Sequence, residues 1–310
     1  MAESPDRTVG SQLRAYQRGA RFRANAVSVQ KEYGRVAEHL ELEIGAVRLS
    51  EIDRGWLREL RDAWSVSGHR AATIRLQVLK NALEPAMSDG IVDQHLFVGL
   101  QRVKRPHGRP EQNLAWTDDE VRQVLEYAHM KGAYGLMRAI GLARYAGLRR
   151  QTICSITEDN RYTDTLRGGH LQRGIRYTSA KGEVPADIPE DPRLTELLEE
   201  TPQGMDHLAY NKRMEPWAPR QLNQALDRIV KQAADWGAVR PGLTLHGLRH
   251  ARGVELALAG ASDAELMSQL AHADEQSAKV YRRQAARARL ANRAQRLVNQ
   301  HRLRMGRRKA

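Results

Sequence analysis

Cysteine is almost absent from this sequence, since Cys154 is the single cysteine among 310 residues. One thiol cannot close an intramolecular disulfide or build a cysteine-based metal site, so both are excluded. A reduced, cytoplasmic setting fits this composition.

Long apolar runs are also absent. The longest apolar stretch, residues 132–148, is interrupted by Arg138 and Arg144, and residues 1–10 (MAESPDRTVG) lack the apolar segment of a signal peptide. We therefore expect no membrane-spanning helix and no membrane partner.

Acidic residues are missing from the end of the chain. Residues 282–310 contain eleven of the 50 Lys and Arg residues and no Asp or Glu. The remaining 281 residues contain 39 basic and 37 acidic residues. The net charge of +13 favours a polyanionic partner, nucleic acid before a membrane surface. Because much of this charge lies in a C-terminal tail, the net charge does not by itself indicate sequence-specific DNA binding.

The first third of the chain has helical periodicity. Apolar residues recur at spacings of three and four in residues 22–44, 51–65 and 69–88. These blocks predict a helical domain over residues 15–105, after a flexible N-terminus of residues 1–14. Residues 101–115 combine two prolines, a glycine and four Lys or Arg residues, and residues 106–112 within them are interpreted as a linker, either lying along a phosphate backbone or simply solvated.

The rest of the chain predicts a mixed domain over residues 113–285. Capping-box patterns, Thr117 with Glu120 and Ser262 with Glu265, mark two helix starts. Residues 173–188 predict a hairpin with Lys181 at its tip, which is the one convincing sheet region. The predicted fold class is mainly α with a small β-sheet: a helical domain followed by an α+β domain.

Four separated motifs concentrate the side chains that phosphoryl transfer needs. They are GLRR (147–150), SAKGE (179–183), HGLRH (246–250) and LAHADEQSAKVY (270–281). On a helix His246 and Arg249 share one face, so both could address one phosphate. An isolated Arg, Lys or Tyr is ordinarily a surface or packing residue, so the functional signal lies in the joint occurrence of the four motifs.

The order Arg149, Lys181, His246, Arg249, His272 and Tyr281 resembles the phage-integrase family of tyrosine recombinases. The resemblance covers residues 113–285 through these motifs and, more loosely, residues 15–105, which look like the family's core-binding domain. It implies that the first domain binds DNA and the second is a catalytic domain of the tyrosine recombinase type.

Chemistry assigns a role to each of the six residues. Guanidiniums of Arg149 and Arg249 suit a clamp on the non-bridging phosphate oxygens, and the Tyr281 hydroxyl suits a nucleophile that conserves bond energy in a phosphodiester. Lys181 is assigned as the general acid that protonates the 5′ oxygen. His246 accepts the proton of Tyr281 or orients it, and His272, like the second histidine of the family, donates a hydrogen bond to phosphate. No cofactor or metal is expected.

Two neighbouring residues and two departures from the family remain open. Arg150 is interpreted as a surface or DNA-backbone contact and His250 as a structural hydrogen-bonding residue. The family often has an acidic residue where this chain has Thr152 and a glycine where it has Ala271. Loss of the acid removes an orienting partner of Arg149, whereas Ala271 is expected to be tolerated if its backbone is helical.

The basic segment 286–310 is interpreted as a tail or helix. Ala286, Leu290, Leu297 and Val298 form a narrow apolar stripe if it is helical. By resemblance it docks on a neighbouring protomer of a DNA-bound homo-tetramer; the alternative is a frayed tail that touches phosphates.

The predicted function is site-specific DNA recombination through a 3′-phosphotyrosine, for integration, excision or resolution of a mobile element. The expected partner is double-stranded DNA with paired sites, with an accessory directionality protein as a further candidate, and the expected location is the cytoplasm, associated with the nucleoid. Because few residues precede residue 15, we expect no separate arm-binding domain. Two rivals remain: a type IB topoisomerase-like relaxase and a non-catalytic DNA-binding accessory factor.

Overall fold

The protein is divided into two compact units, residues 1–110 and residues 111–310. A computed structural model of the chain describes residues 7–103, 113–166, 169–179, 184–271 and 275–307. The expected linker, residues 106–112, lies outside the described residues.

The described part of the first unit is built from five α-helices and a short 3-10 helix, Leu49–Glu51. The α-helices are α1 (Val9–Arg18), α2 (Ala20–Arg23), α3 (Val27–Ile44), α4 (Arg54–Val66) and α5 (His69–Ser88). α1, α3 and α4 all pack against α5. Leucines at helical spacing supply the fully buried centre of this unit, including Leu13, Leu40, Leu57 and Leu79.

The helical unit begins earlier than the apolar periodicity predicts. α1 starts at Val9, not near residue 15, and the Thr8 hydroxyl caps it by accepting from the Ser11 amide. Val9 and Leu13 are fully buried, four residues apart on one face. Residues 9–14 are therefore part of the packed unit and not of a flexible terminus.

The second unit contains the remaining helices of the described residues. They are α6 (Asp118–Met130), α7 (Tyr134–Arg144), α8 (Arg150–Ser155), α9 (Pro192–Glu200), α10 (Pro219–Asp235), α11 (Leu245–Ala259), α12 (Asp263–Gln269) and α13 (Glu275–Arg307). The two predicted capping boxes are confirmed at the starts of α6 and α12.

A small antiparallel sheet is inserted between α8 and α9. Its strands are β1 (Arg161–Thr165), β2 (Leu171–Thr178) and β3 (Pro185–Pro189), in the order β1-β2-β3. The β2–β3 pairing confirms the predicted hairpin, whose tip with Lys181 lies outside the described residues. β1 was missed because RYTDT is polar and largely exposed, which hides the alternation of a half-buried strand. The predicted fold class, mainly α with a small sheet, is confirmed.

Two buried arginines hold α7 in the centre of the second unit. Arg138 donates to the Leu208 carbonyl at 2.5 Å and to Glu158 at 2.9 Å. Arg144 donates to Asp118 and Glu255, both at 2.7 Å. Carboxylates therefore neutralise both of these charges, as a buried structural cation requires.

Within the part of the chain that the structure describes, no helix combines the length and the apolar character needed to cross a membrane.

Acid should destabilise the second unit through Glu120, Asp191 and Glu255. Burial alone raises the pKa of each carboxyl. Arg240 acts on Glu120, Arg193 and Arg252 act on Asp191, and Arg144, Arg193 and Arg252 act on Glu255. Their hydrogen bonds and charges outweigh burial and lower each pKa to about 2. These groups stabilise the fold fully above the unfolded pKa, about 4. The stabilisation, on the order of 2 kcal/mol per carboxyl, is lost as the pH falls from about 4.5 towards 2.

Urea unfolding followed by circular dichroism at pH 6, 4 and 3 measures this loss. Glu255→Gln should show a smaller dependence on pH than the unaltered protein. Equal dependence in the two proteins would show that this carboxylate contributes nothing to acid sensitivity.

Candidate active site

Arg249 lies at the centre of the site, in the second turn of α11. The Thr244 hydroxyl caps this helix by accepting from the Gly247 amide. The Arg249 side chain is only 1% exposed, which is unusual for a charged residue.

Main-chain carbonyls hold the Arg249 guanidinium in place. It donates to the carbonyl oxygens of Gly147 and Leu270, and it also hydrogen-bonds the Tyr281 hydroxyl. Gly147 has a φ of +69°, and a Cβ there would lie 2.6 Å from Leu270 Cδ2, so the glycine of the GLR motif is required on both counts. Burial, followed by the nearby charge of Arg149, lowers the pKa of Arg249 to about 10.

Arg149 reaches the same site from the N-terminus of α8. One of its terminal nitrogens donates to Ser179 Oγ at 3.1 Å and to the Ala271 carbonyl at 2.8 Å. The acid that the family often has three residues later is Thr152 here, a buried residue of α8. Among the described residues, a hydroxyl and a carbonyl therefore position this guanidinium where a carboxylate was expected.

Arg149, which is half-buried, and the buried Arg249 differ from the buried arginines Arg138 and Arg144 in their charge balance. Arg138 and Arg144 each bind at least one carboxylate, whereas no described carboxylate accepts a hydrogen bond from Arg149 or Arg249. Carbonyl and hydroxyl oxygens satisfy N–H groups without cancelling the charge. Two positive charges in a partly desolvated site favour an anion as the missing partner.

Tyr281 projects from α13 into this site. It is 5% exposed and packs with Ala278 and Ala285 against α11 and α12. Its ring lies against Gly253, where a Cβ would be 2.5 Å from the ring, so the absence of a side chain at Gly253 makes room for it. Burial raises the pKa of Tyr281, while Arg249 and Arg149 act in the opposite direction.

Two histidines of α11 lie close to these groups. His250 stacks obliquely on Tyr281, with 5.2 Å between ring centroids. Desolvation, and then the charges of Arg249, His250 and Arg149, lower the pKa of His246 below its ordinary value. His246 is therefore neutral at pH 7, the form that accepts a proton.

The structure brings together Arg149, His246, Arg249 and Tyr281 of the six predicted site residues. Lys181 and His272 lie outside the described residues. Their described neighbours in sequence, Ser179 and Ala271, both contact Arg149.

The backbone at Ala271 differs from the expectation. α12 ends at Gln269, and Ala271 has a φ of +45°, so it adopts the left-handed conformation and not the helical one on which its tolerance was to depend. A glycine avoids the Cβ clash of this conformation, which explains why glycine suits the position. The Ala271 carbonyl nevertheless accepts a hydrogen bond from Arg149, so this turn helps to orient the Arg149 guanidinium.

Tyr177 on β2 was not predicted from the sequence to lie near Arg149 and Arg249. Its hydroxyl is buried without a hydrogen-bond partner in the described structure, and Arg249 and Arg149 act electrostatically on it. Residues two apart on a strand share a face, so the position of Tyr177 two residues before Ser179 was the signal that could have placed it here.

Comparison with known proteins identifies similar folds. Residues 115–287 match the Phage integrase family. A lambda integrase dimer bound to a COC' core site has 19% identity and a TM-score of 0.72, covering 89% of this chain and 77% of that chain. A lambda integrase tetramer bound to a Holliday junction has 18% identity and a TM-score of 0.72, covering 90% and 78%.

The Tn1549 transposon integrase in complex with circular intermediate DNA has 17% identity and a TM-score of 0.70, covering 91% of this chain and 99% of that chain. No curated protein sequence matches the chain. At these identities the solved structures show a shared fold.

Replacing Tyr177 by phenylalanine should stabilise the protein. The substitution removes a buried hydroxyl that has no described partner, so the free energy of unfolding should rise by about 1 kcal/mol. Tyr210→Phe is the matched control, because the Tyr210 hydroxyl donates to the Pro202 carbonyl at 2.5 Å and its loss should destabilise. Urea unfolding measures both, and a destabilised Tyr177→Phe would show that this hydroxyl is bonded in solution.

Proposed function

Because the chain belongs to the phage integrase family of tyrosine site-specific recombinases, we propose that it cuts and rejoins double-stranded DNA through a 3′-phosphotyrosine at Tyr281. One observation carries the proposal. Two guanidiniums without a described carboxylate partner, Arg149 and Arg249, meet beside a buried tyrosine hydroxyl. A phosphodiester supplies the anion that this arrangement lacks, and its phosphorus is the atom that the hydroxyl attacks.

The first step exchanges one phosphate ester for another. The Tyr281 oxygen forms a bond to phosphorus while the bond between phosphorus and the 5′ oxygen breaks. Arg149 and Arg249 bind the non-bridging oxygens, where negative charge accumulates. In the proposed mechanism His246 takes the tyrosine proton, Lys181 gives a proton to the 5′ oxygen, and His272 donates a hydrogen bond to the phosphate.

The second step reverses the first with a different strand. A 5′ hydroxyl of the partner DNA gives its proton to Lys181 and attacks the phosphotyrosine, and Tyr281 leaves with the proton that His246 returns. The number of phosphodiester bonds is conserved, so no external energy source is needed.

The pKa values around the nucleophile support a base-assisted attack. Burial raises the pKa of Tyr281, so its hydroxyl keeps its proton at pH 7. The lowered pKa of His246 keeps that imidazole neutral under the same conditions. Arg149 and Arg249 act on both groups, so a neutral histidine and a protonated tyrosine belong to one site, which is the pair that a proton transfer before attack requires.

The assembly is proposed from the structural relatives. The matched lambda integrase structures include a tetramer bound to a Holliday junction, and the matched Tn1549 integrase is a transposon protein bound to circular intermediate DNA. We extend this to a homo-tetramer on two paired sites that integrates, excises or resolves a mobile element, with an accessory protein setting direction.

Tyr281→Phe should abolish covalent attachment to DNA and retain binding. The substitution removes the attacking oxygen and leaves the ring that packs against Gly253. Denaturing electrophoresis of the protein with labelled duplex carrying its sites should reveal an adduct, and peptide mass analysis should place it on Tyr281. An undiminished adduct in Tyr281→Phe would contradict the assignment.

Two further assays separate recombination from its rivals. A two-site substrate should yield exchanged strands, whereas relaxation of supercoiled DNA without exchange would indicate a topoisomerase-like enzyme. DNA binding without any adduct, and biological activity unchanged in Tyr281→Phe, would indicate an accessory factor.

Adduct formation should also depend on the protonation of His246. Because burial and then the charges of Arg249, His250 and Arg149 lower the pKa of His246, the rate should hold at neutral pH and fall in acid as the imidazole takes up a proton. Single-turnover rates between pH 5 and 8 measure this profile. His246→Ala should be slower and lose the acid limb; an unchanged profile in that variant would exclude His246 as the base.

A further inference from the structure

α13 carries a basic stripe along one side. We define the basic stripe as Lys279, Arg282, Arg289, Arg293 and Arg296. At 100° per residue these five positions fall within a sector of about 100°. The sector adjoins the face that Tyr281 and Ala285 bury against the rest of the unit.

Among the described side chains of α13, those packed against the unit lie in the first part of the helix. Ala278, Tyr281 and Ala285 are buried, and Arg289 is the last described residue that bonds to α11. The helix has 33 residues, so it is about 50 Å long. Past Arg289 the described side chains are exposed, Leu290 to 64% and Leu297 to 58%.

The packed end of the basic stripe borders a cavity. This cavity of about 630 Å³ lies between α13 and the turn from α11 to α12. One Arg289 nitrogen donates to the carbonyls of Ala257 and Leu258 at 2.9 and 2.8 Å, and Arg282 lies 3.0 Å from Asp263. The hydrogen bonds of Arg289 and the ion pair of Arg282 hold two cationic groups at a concave surface.

No described carboxylate pairs with the outer part of the basic stripe. Arg293 and Arg296 are exposed and form no ion pair with any described carboxylate, and the sequence has no acid after Glu275. Arg289 and Arg293 are four residues apart, so they repel each other along the helix. A second copy of this helix would bring more positive charge, whereas a polyanion would relieve the repulsion.

We propose that the basic stripe binds the backbone phosphates of duplex DNA irrespective of base sequence. Arg282 and Arg296 are about 21 Å apart along the helix axis, a length that spans several phosphates of one strand. The inference rests on the proposed function for the presence of DNA, but it concerns affinity and not chemistry. It gives α13 two tasks: its packed turns carry Tyr281, and its outer turns add sequence-independent affinity.

Arg293→Gln, Arg296→Gln and the double variant test this directly. Neither side chain has a described contact, so the fold is expected to persist. Fluorescence anisotropy with a labelled duplex of unrelated sequence, at several salt concentrations, gives the dependence of log K on log salt. The slope should fall by about 0.9 for each phosphate that the protein no longer neutralises, so by about 1.8 in the double variant.

Arg287→Gln is the matched control, since it removes the same charge from a position of α13 outside the basic stripe, about 130° from its centre, where Arg287 is also exposed. Its slope should stay near that of the unaltered protein. Equal slopes for the double variant and the unaltered protein would overturn the proposal. A decrease in the slope of Arg287→Gln as large as that of Arg293→Gln or Arg296→Gln would also overturn it. Unchanged binding to one site with loss only of the two-site complex would also overturn it, in favour of a protein interface.

The covalent adduct assay keeps the two proposals separate. A reduced salt slope in the double variant supports the basic stripe even if no adduct forms in any protein. Adduct formation with an unchanged slope supports the enzyme and overturns the basic stripe.

Discussion

The candidate site of the second unit is organised around the positive charges of Arg149 and Arg249, which no described carboxylate neutralises. Arg249 is almost wholly buried, yet its described acceptors are the carbonyls of Gly147 and Leu270 and the hydroxyl of Tyr281. Burial, and then the charge of Arg149 beside it, lower the pKa of Arg249 to about 10. Such a pair costs folding free energy in the absence of an anion, and a bound phosphate removes that cost.

The main chain around the site is shaped to aim carbonyls at this pair. Gly147 and Ala271 both have positive φ values, +69° and +45°, and each carbonyl accepts from one of the two arginines. Leu270, between α12 and that turn, supplies the third carbonyl. The strained Ala271 turn is therefore part of the clamp, since it fixes donors in place before DNA arrives.

The sequence predicted the helical character, the hairpin and the motif residues, because these follow from periodicity, caps and spacing. It did not predict β1, whose polar residues conceal a strand, or the early start of α1 at Val9. It also could not show that Ser179 and the Ala271 carbonyl hold Arg149, or that Tyr177 faces the same charges, because these contacts join residues distant in sequence. The spacing of the motifs identifies the functional side chains, whereas the charges that surround each of them are known only from the folded chain.

The central claim is that Arg149 and Arg249 form a phosphate site before DNA binds. The most direct measurement is the unfolding midpoint in increasing inorganic phosphate, at ionic strength held constant with chloride. We expect a saturable rise for the unaltered protein and none for Arg249→Gln or Arg149→Gln. An equal rise in all three proteins, or no rise in the unaltered protein, would contradict the claim.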